Sequence, residues 1–356
     1  MAEAGDIAGI SIPFTAGVAA AALVPSGPVR YQICAAAVIM AAAAMVVFCR
    51  RGTCRAASAL MFFCLGAAGL LNYEGSLSSA PETPRIAAAA LERLCNIIDS
   101  IQFGDDRTAP LVKALLTGRR EGLGKDTVEL FRKSGAAHIL ALSGLHLGIL
   151  YTIMTRALAI LGNSRAAAAV RSAVTVAAAF FYMLMTGASP SIVRAFLFIT
   201  VNETLRHFPG RRRGALQVLF CALTIQLAVI PSSIRSLGFQ LSYLAMLGIF
   251  TIYPYMEKWY PESFRFDIPG KIWRSLALSI SCQAFTAPLV WKRFHTFPRY
   301  FLLTNLIALP LSEMFMMSAI ACTAGAAIGW CPDIMKSPVD ALARVLLFCL
   351  ETISSI

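Results

Sequence analysis

The stretch that decides the fold is Ala35-Ala-Ala-Val-Ile-Met-Ala-Ala-Ala-Ala-Met-Val-Val47, a run without a single charge. It lies inside an apolar block from Tyr31 to Cys49, and about 20 such residues cross a hydrocarbon core of roughly 30 Å as a helix. The run is unbroken and rich in alanine rather than alternating, which favours a helix over a barrel strand. The chain is 58% hydrophobic and 14% charged, against about 25% charged in soluble domains.

Comparable apolar blocks recur along the chain and predict an all-α polytopic membrane protein with about eleven transmembrane helices. The predicted spans are Ile7 to Val24, Tyr31 to Cys49, Ala56 to Leu71, His138 to Ile160, Ala168 to Gly187, Ser191 to Arg206, Gly214 to Ile230, Gly238 to Met256, Ile272 to Trp291, Tyr300 to Trp330, and Val339 to the end. The tenth is long for one span, and Pro310 predicts a broken or re-entrant helix there.

Basic loops orient the chain, because lysine and arginine accumulate on the cytoplasmic side. The clusters are Arg50, Arg51 and Arg55; Arg156, Arg165 and Arg171; and Arg206, Arg211, Arg212 and Arg213. With eleven spans they share the inner face if the N-terminus is cytoplasmic. The first span lacks a basic flank, so we expect it to remain as a membrane helix.

Three segments follow from this order: an N-terminal three-span segment over residues 1–71, an extracytoplasmic insertion over 72–137, and a transmembrane bundle over 138–356. The insertion carries apolar stripes at Ile86 to Ile101 and at Lys125 to Lys133, which predict two amphipathic helices lying in the membrane interface. The ten cysteines form no CxxC pair and lie mostly within spans, so we interpret them as small apolar fillers.

The densest polar group opens the fourth span, where His138, Ser143, Gly144 and His146 occur within nine residues. On one continuous helix the two imidazoles and the hydroxyl would share a broad face. Ionisable groups at membrane depth usually face a bundle interior or a cavity. The simpler interpretation is that Ser143 bonds its own helix, Gly144 permits close packing and the histidines are paired in the core.

Other polar groups recur in later spans. Ser189 is expected to cap the sixth span, with Pro190 at its first position and Arg194 one turn further on. Arg194 offers a planar fork suited to phosphate, unless it merely snorkels. The remaining candidates are Phe239, Gln240 and Ser242 in the eighth span, Gln283 in the ninth, then His295 and Asn305, with a basic rim of Lys292, Arg293 and Arg299.

The order of these motifs resembles the ComEC-type competence channel family. The resemblance is carried by Leu116-Thr-Gly-Arg119, by Phe131-Arg-Lys-Ser-Gly-Ala-Ala-His138-Ile-Leu-Ala-Leu-Ser143-Gly144-Leu-His146, by Gly187 to Arg194, by Gly238-Phe-Gln-Leu-Ser242, and by Pro288 to Pro310. It covers roughly Leu111 to Leu311 and is most specific between the two histidines. It implies a channel in the bacterial inner or plasma membrane that passes single-stranded DNA inward during natural transformation.

The sequence departs from that family in two ways. The insertion is too short for the oligonucleotide-binding-like barrel that family members often carry, and no HxHxDH zinc motif of a metallo-β-lactamase-like domain occurs. We therefore expect no catalytic residues, metal or cofactor in this chain, and a motor and a nuclease supplied by separate cytoplasmic proteins. The lipid bilayer is the other expected partner.

Three alternatives stay open. Ser143 with His146, His138 or His295 would suit an intramembrane serine hydrolase, although Ala141-Leu-Ser143-Gly144 lacks the first glycine of a GxSG motif. A small-solute transporter would suit the intramembrane polar groups but predicts an inverted repeat, which is not evident. A purely structural membrane subunit is the third.

Overall fold

A computed structural model describes residues 2–24, 29–51, 55–76, 84–162, 164–206, 214–260, 268–295 and 300–355. Across these ranges the chain is 86% helical and contains no strand, which confirms the all-α fold class. The α-helices are α1 (Ala2–Ala22), α2 (Val29–Arg51), α3 (Arg55–Ser76), α4 (Arg85–Ser100), α5 (Thr108–Thr117), α6 (Lys125–Lys133), α7 (Ala137–Leu140), α8 (Gly144–Ala157), α9 (Arg165–Met185), α10 (Pro190–Arg206), α11 (Ala215–Val229), α12 (Leu237–Thr251), α13 (Tyr253–Glu257), α14 (Ile268–Phe294), α15 (Phe301–Ala327) and α16 (Asp333–Ser354).

Six segments in the described ranges are long and apolar enough to cross a membrane. They are Gln32–Cys49, Arg55–Tyr73, Gly144–Leu161, Arg165–Met185, Leu237–Glu257 and Phe301–Ala327. Shorter apolar helices occupy Ile7–Ala22, Thr108–Thr117 and Ala215–Val229. All eleven predicted spans are largely helical, while their number as membrane crossings stays a prediction, as do the inward N-terminus and the division at residues 71 and 137.

The first compact unit comprises Met1–Glu82 and Val193–Phe250. Its core joins α1, α3, α11 and α12 through buried side chains such as Val18, Leu70, Leu227 and Phe239. Helix α1 also contacts α11 through hydroxyl groups, because Thr224 donates to Ser11 at 2.7 Å and Ser11 donates to the Phe220 carbonyl at 3.1 Å. Such hydroxyl pairs join helices without exposing an unpaired polar group to lipid.

Helices α1 and α3 approach so closely that glycine is required where they meet. A β-carbon on Gly17 would overlap the backbone carbonyl of Phe63, and one on Gly66 would overlap the carbonyl of Phe14. Small residues at such contacts bring two helix backbones together and gain van der Waals packing, which drives helix association in membranes.

We expect Gly17→Ala to destabilise the first unit by about 1–3 kcal/mol, because the added methyl group must push the α3 backbone away. The matched control is Gly9→Ala on the same helix, where no atom lies within 4 Å of the new β-carbon. That change should be neutral or stabilising, since alanine favours a helix over glycine by about 0.5–1 kcal/mol. Thermal unfolding in detergent measures both, and equal effects would contradict the close contact.

The second compact unit comprises Thr83–Ile192 and Thr251–Ile356. Its centre is α5, which was not among the predicted helices and whose Leu111, Val112 and Leu115 are fully buried. They pack with residues of α15 and α16, including Phe315 and Leu346. The insertion therefore contributes α5 to the core of the unit, in addition to its two amphipathic helices.

Two local predictions in this unit were wrong. The fourth predicted span is not one helix from His138, because α7 ends at Leu140 and α8 begins at Gly144. The tenth is not broken at Pro310, since α15 runs without interruption through that position. One proline removes a single N–H donor, and the remaining bonds of this long helix are sufficient to continue it.

Candidate functional site

The helix break before α8 organises the densest polar group. Ser143 is the N-cap of α8, with an extended backbone and a hydroxyl that accepts from the Leu145 amide at 3.3 Å. His146 reaches back so that the Ser143 amide donates to its Nδ1 atom at 3.2 Å, and the Ser143 hydroxyl lies 2.9 Å from the same nitrogen. This is a capping box in which histidine replaces the usual Glu or Gln, and Gly144 is the first helical residue.

The capping contacts fix the tautomer of His146. Because a backbone N–H can only donate, Nδ1 accepts, and the neutral ring must then carry its proton on Nε2. His146 is only 3% exposed, and its Nε2 atom has no hydrogen-bond partner within the described ranges. A buried donor without an acceptor costs free energy unless a ligand or water supplies one.

His138 lies apart from that pair. It is on the short helix α7, exposed, and its Nδ1 atom donates to the Gly135 carbonyl at 3.2 Å. The expected shared face of His138, Ser143 and His146 is therefore wrong, because the break at residues 141–143 places the first histidine on a different helix. The nearby backbone is anchored by Thr304 of α15, whose hydroxyl donates to the Ser134 carbonyl at 2.6 Å.

We expect Ser143→Ala to lower the free energy of unfolding by about 1 kcal/mol, because the first turn of α8 loses its cap. Ser143→Asn should retain most of the stability, since asparagine also caps well. Thermal unfolding of the purified protein in detergent compares the three. Identical stability for wild type and Ser143→Ala would mean that the cap does not form.

Ser189 does not cap α10, although that helix begins at Pro190 as predicted. Its hydroxyl is buried and finds no hydrogen-bond partner among the described residues. The preceding turn explains the difference. Gly187 and Ala188 both have positive φ, at 77° and 49°, and the Ala188 amide bonds back to the Met183 carbonyl at 2.9 Å. This C-terminal turn of α9 determines the direction of the backbone that leads into Ser189.

Arg194 lies on α10 in the first unit and is partly buried. Its positive charge interacts with Tyr243 of α12, whose hydroxyl donates to Gln226 at 2.9 Å. A guanidinium keeps its charge and can offer donors to a phosphate. The phosphate-binding role of Arg194 stays a prediction.

The eighth-span residues have mainly structural partners. Phe239 packs on Tyr243 with ring centroids 4.7 Å apart, and both are buried in the core of the first unit. Gln240 donates to the Ile234 carbonyl at 2.7 Å. Base stacking on either ring would require this core to open. Ser242 is partly exposed.

The ninth and tenth predicted spans meet through polar side chains. Asn305 of α15 donates to Ser279 of α14 at 3.4 Å, and its own Oδ1 atom is buried without a partner in the described ranges. About two turns further along α14, Thr286 lies 3.4 Å from the Gln283 side-chain oxygen and also donates to the Cys282 carbonyl. These residues form a polar stripe on α14.

The basic rim is described only in part. Lys292 and Arg293 are exposed in the last turn of α14, and His295 follows with a positive φ of 52°. Arg299 lies outside the described residues, as do Arg211, Arg212 and Arg213. The side chains of Arg50 and Arg51 are likewise not described.

The structure thus brings together Ser143 with His146, and Asn305 with the α14 stripe. Two residues were missed. Ser279 could have been found, because Ser279, Gln283 and Thr286 follow helical spacing. Arg120 gave no comparable signal, since its partner is a backbone carbonyl twenty residues away. Within the described ranges, no group of three or more His, Cys, Asp or Glu residues could hold a metal ion.

Comparison with known proteins matches residues 115–356 to the family described as Competence protein. ComE operon protein 3 of Bacillus subtilis (strain 168) is 25% identical over 200 residues, which cover 56% of this chain and 24% of that protein. An uncharacterized protein of Aquifex aeolicus (strain VF5) is 26% identical over 244 residues, which cover 66% of this chain and 52% of that protein. The chain thus spans about half or less of these relatives, and no solved structure matches it significantly. Since the family match covers 242 of the 356 residues, the chain belongs to the competence protein family.

Proposed function

We propose that this chain forms the membrane passage through which a single DNA strand enters the bacterial cytoplasm during natural transformation. The observation that carries the proposal is the family match over residues 115–356, which includes every candidate polar residue named above. We place the protein in the inner or plasma membrane as a multi-pass protein with its N-terminus in the cytoplasm. A separate motor and a separate nuclease would act with it.

The proposed passage holds the strand through its phosphates and does not recognise sequence. Arg194 on α10 and the exposed Lys292 and Arg293 at the end of α14 supply the positive charge. Phosphate contacts of this kind are independent of base sequence and weaken with salt. They must also be loose, because a site that binds tightly would stall transport.

The buried imidazole of His146 supports a polar ligand near the start of α8. Its Nε2–H donor is held in place by the capping box and has no acceptor among the described residues. A phosphate oxygen or a water molecule in a passage would satisfy it. The unpaired Oδ1 atom of Asn305 is a second such group, and it suits a water molecule or the amino group of a base.

A deletion strain of a naturally transformable bacterium that carries this gene tests the proposal. Labelled duplex DNA should still bind the cells, while labelled strands should not reach the cytoplasm and transformants should disappear. Expression of the full chain should restore both. Normal transformation in the deletion strain would refute the proposed function.

An intramembrane serine hydrolase is the second candidate, favoured by the 2.9 Å separation of the Ser143 hydroxyl and His146 Nδ1. That distance suits proton abstraction from a nucleophile. However, Nδ1 also accepts from the Ser143 amide, and no described side chain bonds Nε2 as the third member of a catalytic triad would. A fluorophosphonate probe discriminates: labelling in wild type that is lost in Ser143→Ala would establish a hydrolase.

A further inference from the structure

One motif of the sequence has no place in the passage described above. The turn Thr117-Gly118-Arg119-Arg120 at the end of α5 packs against the linker between α7 and α8. Gly118 has a φ of 78°, and a β-carbon there would overlap the side chain of Leu142. Arg120 donates through Nη2 to the Leu140 carbonyl at 3.2 Å. The turn and the linker before Ser143 are therefore in direct contact.

The turn is fixed from its other side as well. Thr117 is buried, donates to the Lys113 carbonyl at 2.7 Å and accepts from the Arg119 amide at 3.2 Å. Tyr182 of α9 donates to the Leu116 carbonyl at 2.8 Å. Because the backbone of the turn is held on both sides, its two arginine side chains start from a fixed base, which lowers the entropy lost when they bind a ligand.

The charges of these arginines are not used by the described fold. Three of the seven other basic residues of the insertion have carboxylate partners: Arg107 with Asp105, Lys113 with Asp99, and Arg132 with Glu129. Arg119 and Arg120 make no ion pair within the described ranges, even though Glu121 follows them directly. Arg120 is exposed and Arg119 half-buried. Arg120 uses one of its five N–H donors on Leu140.

We propose that Arg119 and Arg120 form a phosphodiester-binding site that receives the single strand next to the linker before α8. The inference rests on the proposed function and adds a residue pair that the basic rim did not include. Guanidinium groups bind phosphate through paired N–H donors, and two adjacent forks can hold two consecutive phosphates of an extended strand. The contact of Arg120 with Leu140 places this site beside the Ser143 and His146 pair.

The test measures how the binding of a short fluorescent single strand depends on salt, using the full chain in nanodiscs of zwitterionic lipid. Each phosphate contact contributes about 0.7 to the slope of log K against log[salt] for single strands. Arg119→Ala should lower the magnitude of the slope by about 0.7, and the Arg119→Ala/Arg120→Ala double variant by about 1.4. Arg119→Lys should retain most of it.

Arg132→Ala is the matched control, because Arg132 is an exposed arginine on the same insertion. Its Nε and Nη2 atoms both donate to Glu129 at 2.9 Å, and these bonds lower the pKa of the Glu129 carboxyl, so that the pair stays charged at neutral pH. Its slope should equal that of wild type. If Arg120→Ala disturbs the fold through the loss of its Leu140 contact, the salt slope of Arg119→Ala alone decides whether the site binds phosphate.

The outcomes separate the two proposals. A wild-type slope in Arg119→Ala and in the double variant, with binding intact, would overturn this site and leave the passage proposal standing. Substitutions that weaken binding to vesicles containing anionic lipid, but leave DNA binding unchanged, would assign the arginines to lipid headgroups and also overturn it. Failure of the full chain to restore uptake in the deletion strain would instead refute the proposed function.

Discussion

Replacing Asp340 with alanine is expected to lower the free energy of unfolding by roughly 2–5 kcal/mol, because two donors lose their common acceptor. Asp340 is a buried residue of α16. One of its oxygens accepts from the Gly104 amide and the other from the Thr108 hydroxyl, both at 2.7 Å. Thr108 is fully buried, so water cannot replace the missing carboxylate.

The control for Asp340 lies on the same helix. Asp333 pairs with Lys336 at 3.0 Å, but its side chain is 97% exposed, and exposed pairs contribute about 0–1 kcal/mol. Asp333→Ala should therefore change the thermal unfolding temperature little. The stability of Asp340→Asn should fall between those of Asp333→Ala and Asp340→Ala, because the asparagine amide keeps one acceptor and presents donors to the second partner. Equal loss for Asp333→Ala and Asp340→Ala would show that the buried contacts do not form.

The loss of the two Asp340 hydrogen bonds should also affect DNA binding, since Thr108 begins α5 and the Arg119–Arg120 turn follows the end of that helix. Asp340 and Tyr182 hold α5 near its two ends. We therefore expect Asp340→Ala to reduce DNA binding even at temperatures where the protein remains folded.

Arg194→Ala and a His138→Ala/His146→Ala double substitution should each reduce cytoplasmic DNA uptake to the level of the deletion strain. Arg194 would supply a permanent charge to the proposed passage, and His146 supplies the buried donor at the start of α8. Labelled DNA should still bind to the cell surface, because the step that fails is passage and not capture. Cytoplasmic label and transformant counts measure the result.

Arg165→Ala is the control for Arg194, because Arg165 is exposed at the start of α9 and should tolerate substitution with normal uptake. Membrane fractions must contain equal amounts of each variant. Normal cytoplasmic uptake by correctly inserted Arg194→Ala protein would remove this residue from the passage. Single histidine variants then show whether the exposed His138 contributes beyond His146.

The helices were predictable because lipid enforces a simple rule. Apolar length alone located α2 and α9 to within a few residues, since every backbone group in a membrane must be satisfied inside its own helix. The break before α8 was missed because Ile139, Leu140 and Leu142 continue the apolar pattern across it. The signal that could have located it is Ser143 followed by Gly144, a helix start within an apolar run.

The site was less predictable than the fold. The proximity of Ser143 and His146 depends on the capping geometry, which applies to an N-cap and its third helical residue and not to a helix interior. The apolar pattern predicts only that Asp340 lies in the final span, and its partners 232 and 236 residues away explain its burial. Contacts at such separation leave no local pattern in a single sequence.

The length of α15 has a physical consequence for the lipid around it. Its 27 residues make a helix about 40 Å long, whereas the hydrocarbon core is about 30 Å thick. A helix with this mismatch tilts or extends into the headgroup layer. Since α15 also packs against α5 and α16, its tilt is tied to the elements that position the arginine turn. The proposed transport should therefore depend on the acyl-chain length of the lipids, and a thinner bilayer should impose the greater tilt.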